Sequence, residues 1–382
     1  MKKIERLGKY ISEYSVRNKN DEDIKVYSVT NTNGFCTEYF DKDVASKDQT
    51  NYKIVPKGYF AYNPSRINVG SIDCQSVEDR VIVSPLYVVF KADERIDNDY
   101  LLHYLKSDIG KYYINELASG SVRANLKFSI LQDFPFPMIP IEEQKEKMAV
   151  IAKVDESIVY CDSIIEKLDL AVKSRFIEMF GDLETNKKKW PVYKLGQVCD
   201  VGSSKRIYQE EQTNEGIPFW RISDLVNKID TGEAESGLYI PEEKYNDLKK
   251  RGLVPDEGDI LVTSRGTLGR CYIVSHDDRF YFQDGMISWI SNYREGITPL
   301  FLKHVFTMPS ILRQIESMQA GSAVEYLSIA MLKKLDVMLP DSETQAQFAL
   351  FIEKIDKSKL AVQEIKNKME ILKASVMQEY FC

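Results

Sequence analysis

The chain has 382 residues, 43% hydrophobic and 29% charged, a composition typical of folded proteins and long enough for two or three domains. It has no run of about 18 uncharged apolar residues, and its N-terminus lacks the apolar core of a secretion signal, so we expect a cytoplasmic protein. The six cysteines and three histidines are too scattered for a zinc site, a redox motif or a histidine-rich metal site.

The 51 basic and 58 acidic side chains give a net charge of −7, the wrong sign for a protein that binds nucleic acid unaided. The acidic surplus is uneven, because residues 1–140, 141–182, 183–340 and 341–382 carry net charges of 0, −4, −2 and −1. The two larger segments are near neutral. A basic face on either of them is therefore compatible with the sequence.

Residues 1–140 predict a mixed α+β domain, and residues 141–182 predict a long helix. Short apolar or alternating runs at 24–29, 58–62 and 81–90 are typical of strands, and an amphipathic stretch at 100–117 predicts one helix. From 141 to 180 there is no proline or glycine, and apolar residues recur at alternating steps of three and four, as in a coiled coil. This seam consists of Ile151, Val154, Ile158, Cys161, Ile165, Leu168, Val172, Phe176 and Met179.

Residues 183–340 and 341–382 predict the same pair of elements again. Strand-like runs occur at 218–222, 259–263 and 272–274, and one helix is predicted at 300–318. Ser342 and Gln345 fit a capping box at the start of the second long helix. At about 35 to 40 residues, each long helix would measure about 50 to 60 Å. The seam of the second long helix consists of Phe348, Ile352, Ile355, Val362, Ile365, Met369, Leu372 and Val376, with one polar step after Ile355.

An internal repeat with an offset of 199 to 201 residues supports this division. Ser65-Arg66 followed by Gly70 recurs as Ser264-Arg265 followed by Gly269, and residues 100–105 align with 301–306. The start of the first seam, 151–157, aligns with 352–358. We expect the joints near Pro140, at 181–191 and near Pro340. We interpret the two long helices as a paired coiled coil; the alternative is that they are two core helices of a globular domain.

The sequence contains few signs of catalytic chemistry. It has no G-x-G-x-x-G or G-x-x-x-x-G-K-[ST] motif, and Asn63-Pro64-Ser65-Arg66 lacks the second proline and the aromatic residue of a methyltransferase tetrapeptide. Pro340-Asp341 with Glu364-Ile365-Lys366 supplies the letters of a nuclease motif, but about 23 helical positions, or about 35 Å, separate them. We therefore expect a protein without an active site or a cofactor of its own.

Several segments of the second half carry a family resemblance. They are Gly-Ile-Pro-Phe-Trp-Arg-Ile-Ser-Asp-Leu at 216–225, Gly-Asp-Ile-Leu-Val at 258–262, Arg-Gly-Thr-Leu-Gly at 265–269, and a closing helix opened by Gln345. Together with the duplicated layout, this resembles the specificity subunit of a type I restriction-modification system over nearly the whole chain. The first half departs from the pattern, because Gly-Tyr-Phe-Ala-Tyr stands at 58–62.

The resemblance implies an α+β protein with two tandem target-recognition domains, 1–140 and 183–340. Two conserved spacer helices, 141–182 and 341–382, would pack antiparallel and fix an unread gap. Each domain would read one half of a split duplex sequence. The helices would dock two methyltransferase subunits carrying S-adenosylmethionine, and restriction-translocase subunits, with ATP and magnesium, would complete the complex. Partner subunits could then supply much of the phosphate contact.

Candidate DNA contacts follow from residue type and repeat position. Arg66 and Arg265 stand at equivalent positions before glycine turns, where a guanidinium could bind guanine or a phosphate; a surface salt bridge is the alternative. Lys205 and Arg206 with Tyr208 suit a phosphate contact. The remaining candidates are polar residues of turns and strand ends: Asn63, Asn68, Arg123, Asn125, Lys127, Arg221, Ser223, Thr263, Thr267, Arg270 and Gln283.

Two other functions remain open at this point. Duplicated domains on a helical spacer could form a protein-interaction scaffold, whose binding would respond weakly to salt. A fused modification enzyme with a diverged catalytic domain is the second, but two domains and two helices consume the whole chain. The apolar pairs Met179-Phe180 and Tyr380-Phe381 end the two long helices, and we expect them to pack against the opposite recognition domain or a partner.

Overall fold

The computed structural model describes residues 3–37, 49–118, 125–319 and 325–381. The chain forms two compact units, residues 1–164 with 362–382 (unit 1) and residues 165–361 (unit 2). Each predicted long helix contributes one part to each unit.

Unit 1 is built on a four-stranded antiparallel sheet in the order β2-β9-β6-β7. Three two-stranded antiparallel pairs, β1-β10, β3-β4 and β5-β8, complete its strands. The strands are β1 (Lys3–Arg6), β2 (Ile11–Glu13), β3 (Ser28–Thr30), β4 (Gly34–Cys36), β5 (Lys53–Pro56), β6 (Phe60–Tyr62), β7 (Ile72–Cys74), β8 (Arg80–Val83), β9 (Val88–Ala92) and β10 (Pro135–Met138). The helices are α1 (Asn98–Lys106), α2 (Asp108–Ala118), α3 (Phe128–Gln132) and the first part of α4 (Ile141–Phe180).

Unit 2 repeats this framework. Its four-stranded sheet has the order β12-β18-β15-β16, and β11 pairs with β19 as β1 pairs with β10. A three-stranded sheet, β14-β13-β17, is added. The strands are β11 (Val192–Lys194), β12 (Asp200–Gly202), β13 (Ile217–Trp220), β14 (Tyr239–Ile240), β15 (Ile260–Thr263), β16 (Cys271–Ile273), β17 (Tyr281–Phe282), β18 (Ile287–Ser291) and β19 (Asp336–Met338). The helices are the second part of α4, then α5 (Leu195–Val198), α6 (Ile222–Thr231), α7 (Glu242–Lys250), α8 (Pro299–Val305), α9 (Pro309–Gln319), α10 (Ile329–Lys334) and the first part of α11 (Ser342–Phe381), whose second part belongs to unit 1.

The two units share a framework and differ in what is inserted into it. In unit 1, residues 14–37, 49–59 and 75–87 leave the four-stranded sheet and form β3-β4 and β5-β8. In unit 2 the corresponding segments, 203–259 and 274–286, form the β14-β13-β17 sheet with α6 and α7. The internal repeat and the α+β class predicted from the sequence are confirmed. The insertions are where the halves diverge.

Four predicted elements have different limits. The single helices predicted at 100–117 and 300–318 are each two helices, because Ser107 is extended (ψ 165°) and because Pro309, which lacks an N–H donor, begins α9. The strand predicted at 81–90 is two strands, β8 and β9, with a turn between them at Tyr87. Of the run at 24–29, only Ser28 and Val29 belong to a strand.

A buried glutamine fastens the start of each long helix. Gln345 accepts hydrogen bonds from the Thr298 N–H (3.0 Å) and hydroxyl (2.8 Å), and its amide donates to the Pro340 and Gly296 carbonyls. Gln144, its repeat partner, accepts from the Asp97 N–H (2.9 Å) and donates to two carbonyls. The predicted capping box was wrong, because Asp341 rather than Ser342 caps α11, accepting from the Thr344 N–H at 2.8 Å.

The long helices pair antiparallel within each unit, as predicted. In unit 1, Lys366 contacts Asp162 (2.6 Å) and Lys373 contacts Asp155 (2.5 Å), so a step of seven residues forward in α11 is seven back in α4. Lys359 and Asp169 continue the same register in unit 2. No described helix, these two included, is long and apolar enough to cross a membrane.

The seam of α11 differs from the predicted one. Ile365 and Leu372 are 48% and 45% exposed, so their assignment to the seam was wrong. Between residues 355 and 376, the less exposed positions of α11 recur at steps of three and four and are instead 355, 359, 362, 366, 369, 373 and 376. Lysines occupy three of them: Lys359, Lys366 and Lys373. A lysine can occupy such a position because its methylene chain packs against apolar neighbours while its ammonium reaches a carboxylate of the facing helix.

The last phenylalanine of each long helix is buried in a domain core. In unit 2, Phe180 of α4 lies against Phe301 of α8 and Phe348 of α11, with ring centroids 4.8 and 5.4 Å apart. In unit 1, Phe381 of α11 lies against Tyr100 of α1 at 5.0 Å. Each helix thus ends in the domain of the other repeat, which is the first of the two packings expected from the sequence. Burying each ring contributes about 2 kcal/mol.

We predict that Gln345→Ala destabilises the protein by about 3 kcal/mol, because it leaves the buried Pro340 carbonyl and the half-buried N–H of Thr298 without partners. Gln347→Ala, two residues away on the exposed face of α11, is the matched control and should change stability by less than about 0.5 kcal/mol. Urea unfolding of the full chain measures both. Equal losses in the two variants would contradict the role assigned to Gln345.

We also predict a pH effect from His304, which lies against Phe176 and Phe348. Burial, with Lys303 and Lys359 nearby, lowers the pKa of His304 to about 4. Because the unfolded chain binds this proton near pH 6.5, stability is retained above that pH and falls towards pH 4, by about 2 kcal/mol between pH 7.5 and 5.

The free energy of unfolding of His304→Phe, measured at pH 7.5 and pH 5, should lack this loss of about 2 kcal/mol. His276→Gln, a change at an exposed histidine, should leave it intact. A His304→Phe curve parallel to that of the unaltered protein would contradict the assignment.

Candidate nucleic-acid interface

The loops of unit 2 that carry the candidate residues meet at one edge of its sheets. Strands β12 and β15 are both antiparallel to β18, so they run parallel to each other and end on the same side. Strand β17 is parallel to β13 and is followed after four residues by β18. Residues 203–208, 221–223, 264–270 and 283–286 therefore lie at this edge, which we call loop edge 2.

Hydrogen bonds join these loops to one another and to the sheets. The Ser203 and Ser204 hydroxyls donate to the Ile287 carbonyl (3.0 Å) and the Phe282 carbonyl (2.6 Å). The Gln283 N–H donates to the Trp220 carbonyl at 2.9 Å, which places Gln283 beside Arg221. Loop edge 2 is thus a connected surface, not a set of independent loops.

Three candidate arginines of loop edge 2 are held by carboxylates. Arg206 contacts Asp284 (3.0 Å) and Arg221 contacts Asp224 (3.7 Å). Arg270 binds Asp230 of α6 through two hydrogen bonds, which lower the pKa of the Asp230 carboxyl. Exposed ion pairs are weak in water, so a phosphate group can compete with these carboxylates.

Arg265 is placed differently. It is exposed, and no carboxylate among the described residues forms an ion pair with it; its guanidinium carbon lies 5.4 Å from the centroid of the Tyr326 ring. The Leu327 N–H donates to the Ser264 carbonyl at 3.0 Å, which brings the segment at 325–327 beside Arg265. Sequence reasoning missed Tyr326, although the repeat offset of 201 aligns it with the candidate Asn125.

The other candidates of unit 2 divide by exposure. Thr263 is fully buried, and its hydroxyl donates to the Thr267 carbonyl and accepts from the Arg270 N–H (3.0 Å), so the geometry gives it a structural role rather than a DNA contact. The Ser223 hydroxyl lies 3.5 Å from Asp224. Besides the arginines, four candidates are exposed: Lys205, Tyr208, Ser223 and Thr267.

Unit 1 has an equivalent edge. Strands β2 and β6 are both antiparallel to β9 and end on the same side, where Asn63 and Arg66 follow β6. The Leu126 N–H donates to the Pro64 carbonyl (3.1 Å), as the Leu327 N–H donates to the Ser264 carbonyl, so Asn125 and Lys127 lie at this edge as well. We call the edge formed by residues 63–68 and 125–127 loop edge 1. Exposed at this edge are Arg66, Asn68, Asn125 and Lys127; Arg123 lies outside the described residues.

A polar cleft of about 370 Å³ opens beside Asn63 and Arg66. The Asn63 side chain accepts from the Ser65 N–H at 3.0 Å, which closes the turn after β6. Sequence reasoning missed the other residues of the cleft, because they come from distant parts of the chain and adjoin it only in the folded unit. They include Thr30, Asn31, Ser71 and Tyr87.

A family profile for the type I restriction modification DNA specificity domain matches residues 3–169 and 187–373. The chain belongs to this family. Membership confirms the function predicted from the sequence at the level of DNA recognition, and it places the chain among proteins named for specificity and not for a catalytic step.

Relatives agree with this assignment. The chain is 26% identical over 273 residues to a Haemophilus influenzae protein assigned as a type I restriction enzyme specificity subunit, covering 70% of this chain and 66% of that protein. It is 23% identical to the MjaVIII specificity subunit of Methanocaldococcus jannaschii, covering 78% and 72%. It is also 23% identical to the EcoBI specificity subunit of Escherichia coli, covering 79% and 68%.

Solved structures share the fold. A chain from a study of complex assembly and conformational transition of the type I R-M system matches 99% of this chain and 97% of its own length, with a TM-score of 0.63 and 16% identity. The type I restriction-modification S subunit from M. genitalium matches 100% and 96%, with a TM-score of 0.52 and 13% identity. Both matches show a shared fold over nearly the whole chain.

We predict that Arg265→Ala weakens or relaxes recognition in one half of the target by about 1 to 3 kcal/mol and leaves the other half unchanged. Arg251→Ala, at the exposed end of α7, is the control. Binding of duplexes altered in each half measures the effect. A uniform loss across unrelated sequences would instead identify a phosphate contact.

Proposed function

We propose that the protein reads a bipartite duplex sequence, one half with loop edge 1 and the other with loop edge 2. The observation that carries this proposal is the repetition of one sheet framework with different insertions. The shared framework presents loops at the same edge of each unit. The loops themselves differ in sequence, and the inserted strands and helices beside them differ as well. Two unlike edges suit two unlike half-sites.

The side chains at these edges have the required chemistry. Arginine, asparagine and glutamine can form paired hydrogen bonds with base edges in the major groove, whereas lysine acts on phosphates mainly through its charge. With a net charge of −7, the chain would rely on other subunits for part of the phosphate contact. The protein then contributes sequence selection more than affinity.

The long helices provide faces for partner subunits. Away from the seam, each carries apolar side chains that are about half exposed or more, and such side chains favour contact with another protein. Because the helices are repeats of each other, we propose two equivalent docking sites and hence two methyltransferase subunits. These residues are Val159, Leu170 and Ile177 on α4 and Leu360, Ile365, Ile371 and Leu372 on α11.

The catalytic steps are proposed to belong to those partners. A methyltransferase subunit would hold S-adenosylmethionine and act on adenine, and restriction-translocase subunits would join through the complex with ATP and magnesium. The chain described here would act as a non-catalytic adaptor, in the cytoplasm where the chromosomal DNA lies.

Salt dependence distinguishes this proposal from a protein-interaction scaffold. The complex with its methyltransferase partner should bind duplex DNA with an affinity that falls steeply as salt rises, by a log–log slope of about −0.9 per phosphate contact. Lys205→Ala should reduce that slope by about 1, because Lys205 is exposed on loop edge 2. Lys250→Ala, an exposed change at the end of α7, should not.

Fluorescence anisotropy between 50 and 300 mM salt would measure these slopes. Binding that barely responds to salt would contradict DNA recognition and support the scaffold. A steep slope unchanged by Lys205→Ala would retain DNA recognition but remove Lys205 from the phosphate contacts.

A further inference from the structure

We propose that Arg265 reads a guanine in the half-site of loop edge 2, and that Tyr326 is the positioning residue that holds its guanidinium for this contact. The inference rests on the proposed function, because it assumes that loop edge 2 faces the bases of a duplex. It adds the identity of one base and a residue that determines how it is read.

The loop that carries Arg265 is closed at its base. The Gly269 N–H donates to the Thr263 carbonyl (3.0 Å), the Arg270 N–H donates to the Thr263 hydroxyl (3.0 Å), and that hydroxyl donates to the Thr267 carbonyl. Gly266 follows Arg265 with φ +68°, a conformation that favours glycine. Arg265 therefore projects from a short loop whose backbone is fixed on both sides.

Tyr326 is fixed as well. The next residue, Leu327, is buried, and its N–H donates to the carbonyl of Ser264, the residue before Arg265. The Ser264 N–H in turn donates to the Met286 carbonyl at 2.9 Å. The backbone next to Tyr326 and next to Arg265 thus belongs to one hydrogen-bonded corner, and the guanidinium carbon lies 5.4 Å from the ring centroid.

A guanidinium over an aromatic ring can still donate hydrogen bonds elsewhere. When the two planes lie face to face, the ring contacts one face of the guanidinium, whereas the N–H groups point outwards within its plane. No described carboxylate pairs with Arg265, in contrast to Arg206, Arg221 and Arg270. Of the four candidate arginines at loop edge 2, Arg265 is the one that lies over an aromatic ring and has no acidic partner among the described residues.

A fixed fork of donors selects guanine among the bases. Guanine presents two acceptors, O6 and N7, side by side in the major groove, and two guanidinium N–H groups match them. Adenine offers one acceptor next to an amino donor, cytosine offers a donor, and thymine offers a single acceptor beside a methyl group. Because arginine has donors only, each of these bases loses at least one hydrogen bond.

The repeat in unit 1 lacks this arrangement. Arg66 occupies the position of Arg265, but Asn125 occupies that of Tyr326, and an amide offers no aromatic face. The two edges therefore differ at this position, as recognition of two different half-sites requires.

The test uses the full chain co-expressed with its methyltransferase subunit. Methylated adenines are mapped to define the motif, and binding is then measured on duplexes in which each guanine of the motif is replaced in turn by other bases or by 7-deazaguanine, which lacks the N7 acceptor. The guanine whose replacement no longer matters in Arg265→Lys is the one assigned to Arg265. The variants are Arg265→Lys, Tyr326→Ala, Tyr326→Phe and, as a control on α2 of unit 1, Tyr112→Ala.

The unaltered complex should lose roughly 5- to 150-fold in affinity when that guanine is replaced. Arg265→Lys and Tyr326→Ala should reduce this preference at that one position, while Tyr326→Phe and Tyr112→Ala retain it. A merely structural role for Tyr326 would lower binding to all duplexes equally and leave the preference intact, which would overturn its assignment.

Other outcomes also decide the matter. If the half-site has no guanine that responds to Arg265→Lys, the base assignment is wrong although DNA recognition stands. If 7-deazaguanine binds as well as guanine, the paired hydrogen bond is absent and the assignment is wrong. If no motif depends on the chain at all, the proposed function itself fails.

Discussion

The exchange of helix ends between the two repeats is the constraint on which the rest of the structure depends. Phe180 completes the core formed by Phe301 and Phe348, and Phe381 lies against Tyr100 in the other unit. Because each long helix ends in the domain of the other repeat, the two helices must run antiparallel. The aspartate-lysine contacts then fix their register, and the buried glutamines Gln144 and Gln345 fix each helix start to the domain helix beside it.

The loop edges are a consequence of the sheet framework in each unit. Two parallel strands that share one antiparallel neighbour must end on the same side, so the segments after β12 and β15, like those after β2 and β6, are brought together. The framework can be duplicated while its insertions change. This separation between a constant support and variable loops explains how one fold can present two different loop surfaces.

Much of this could be predicted from the sequence, because the repeat exposes the elements that both halves need. Arg66 and Arg265 were identified by their shared spacing to a glycine, and both lie at loop edges. The seam of α11 was predicted incorrectly because apolarity alone favours Ile365 over Lys366, whereas the position of Lys366 is decided by Asp162 on the facing helix. The repeat offset could have pointed to Tyr326, but the burial of Thr263 and the contact of Tyr326 with Arg265 depend on loop closure and tertiary packing, which spacing along the chain does not encode.

The most direct test of the central claim, that two unlike edges read two halves of one target, is a comparison of methylated adenines across a host genome with and without this chain, in the presence of its methyltransferase subunit. The account predicts that a motif of two short defined halves around a fixed unread gap loses methylation when the chain is absent. Methylation of every motif regardless of the chain, or dependence on a single continuous motif, would contradict it.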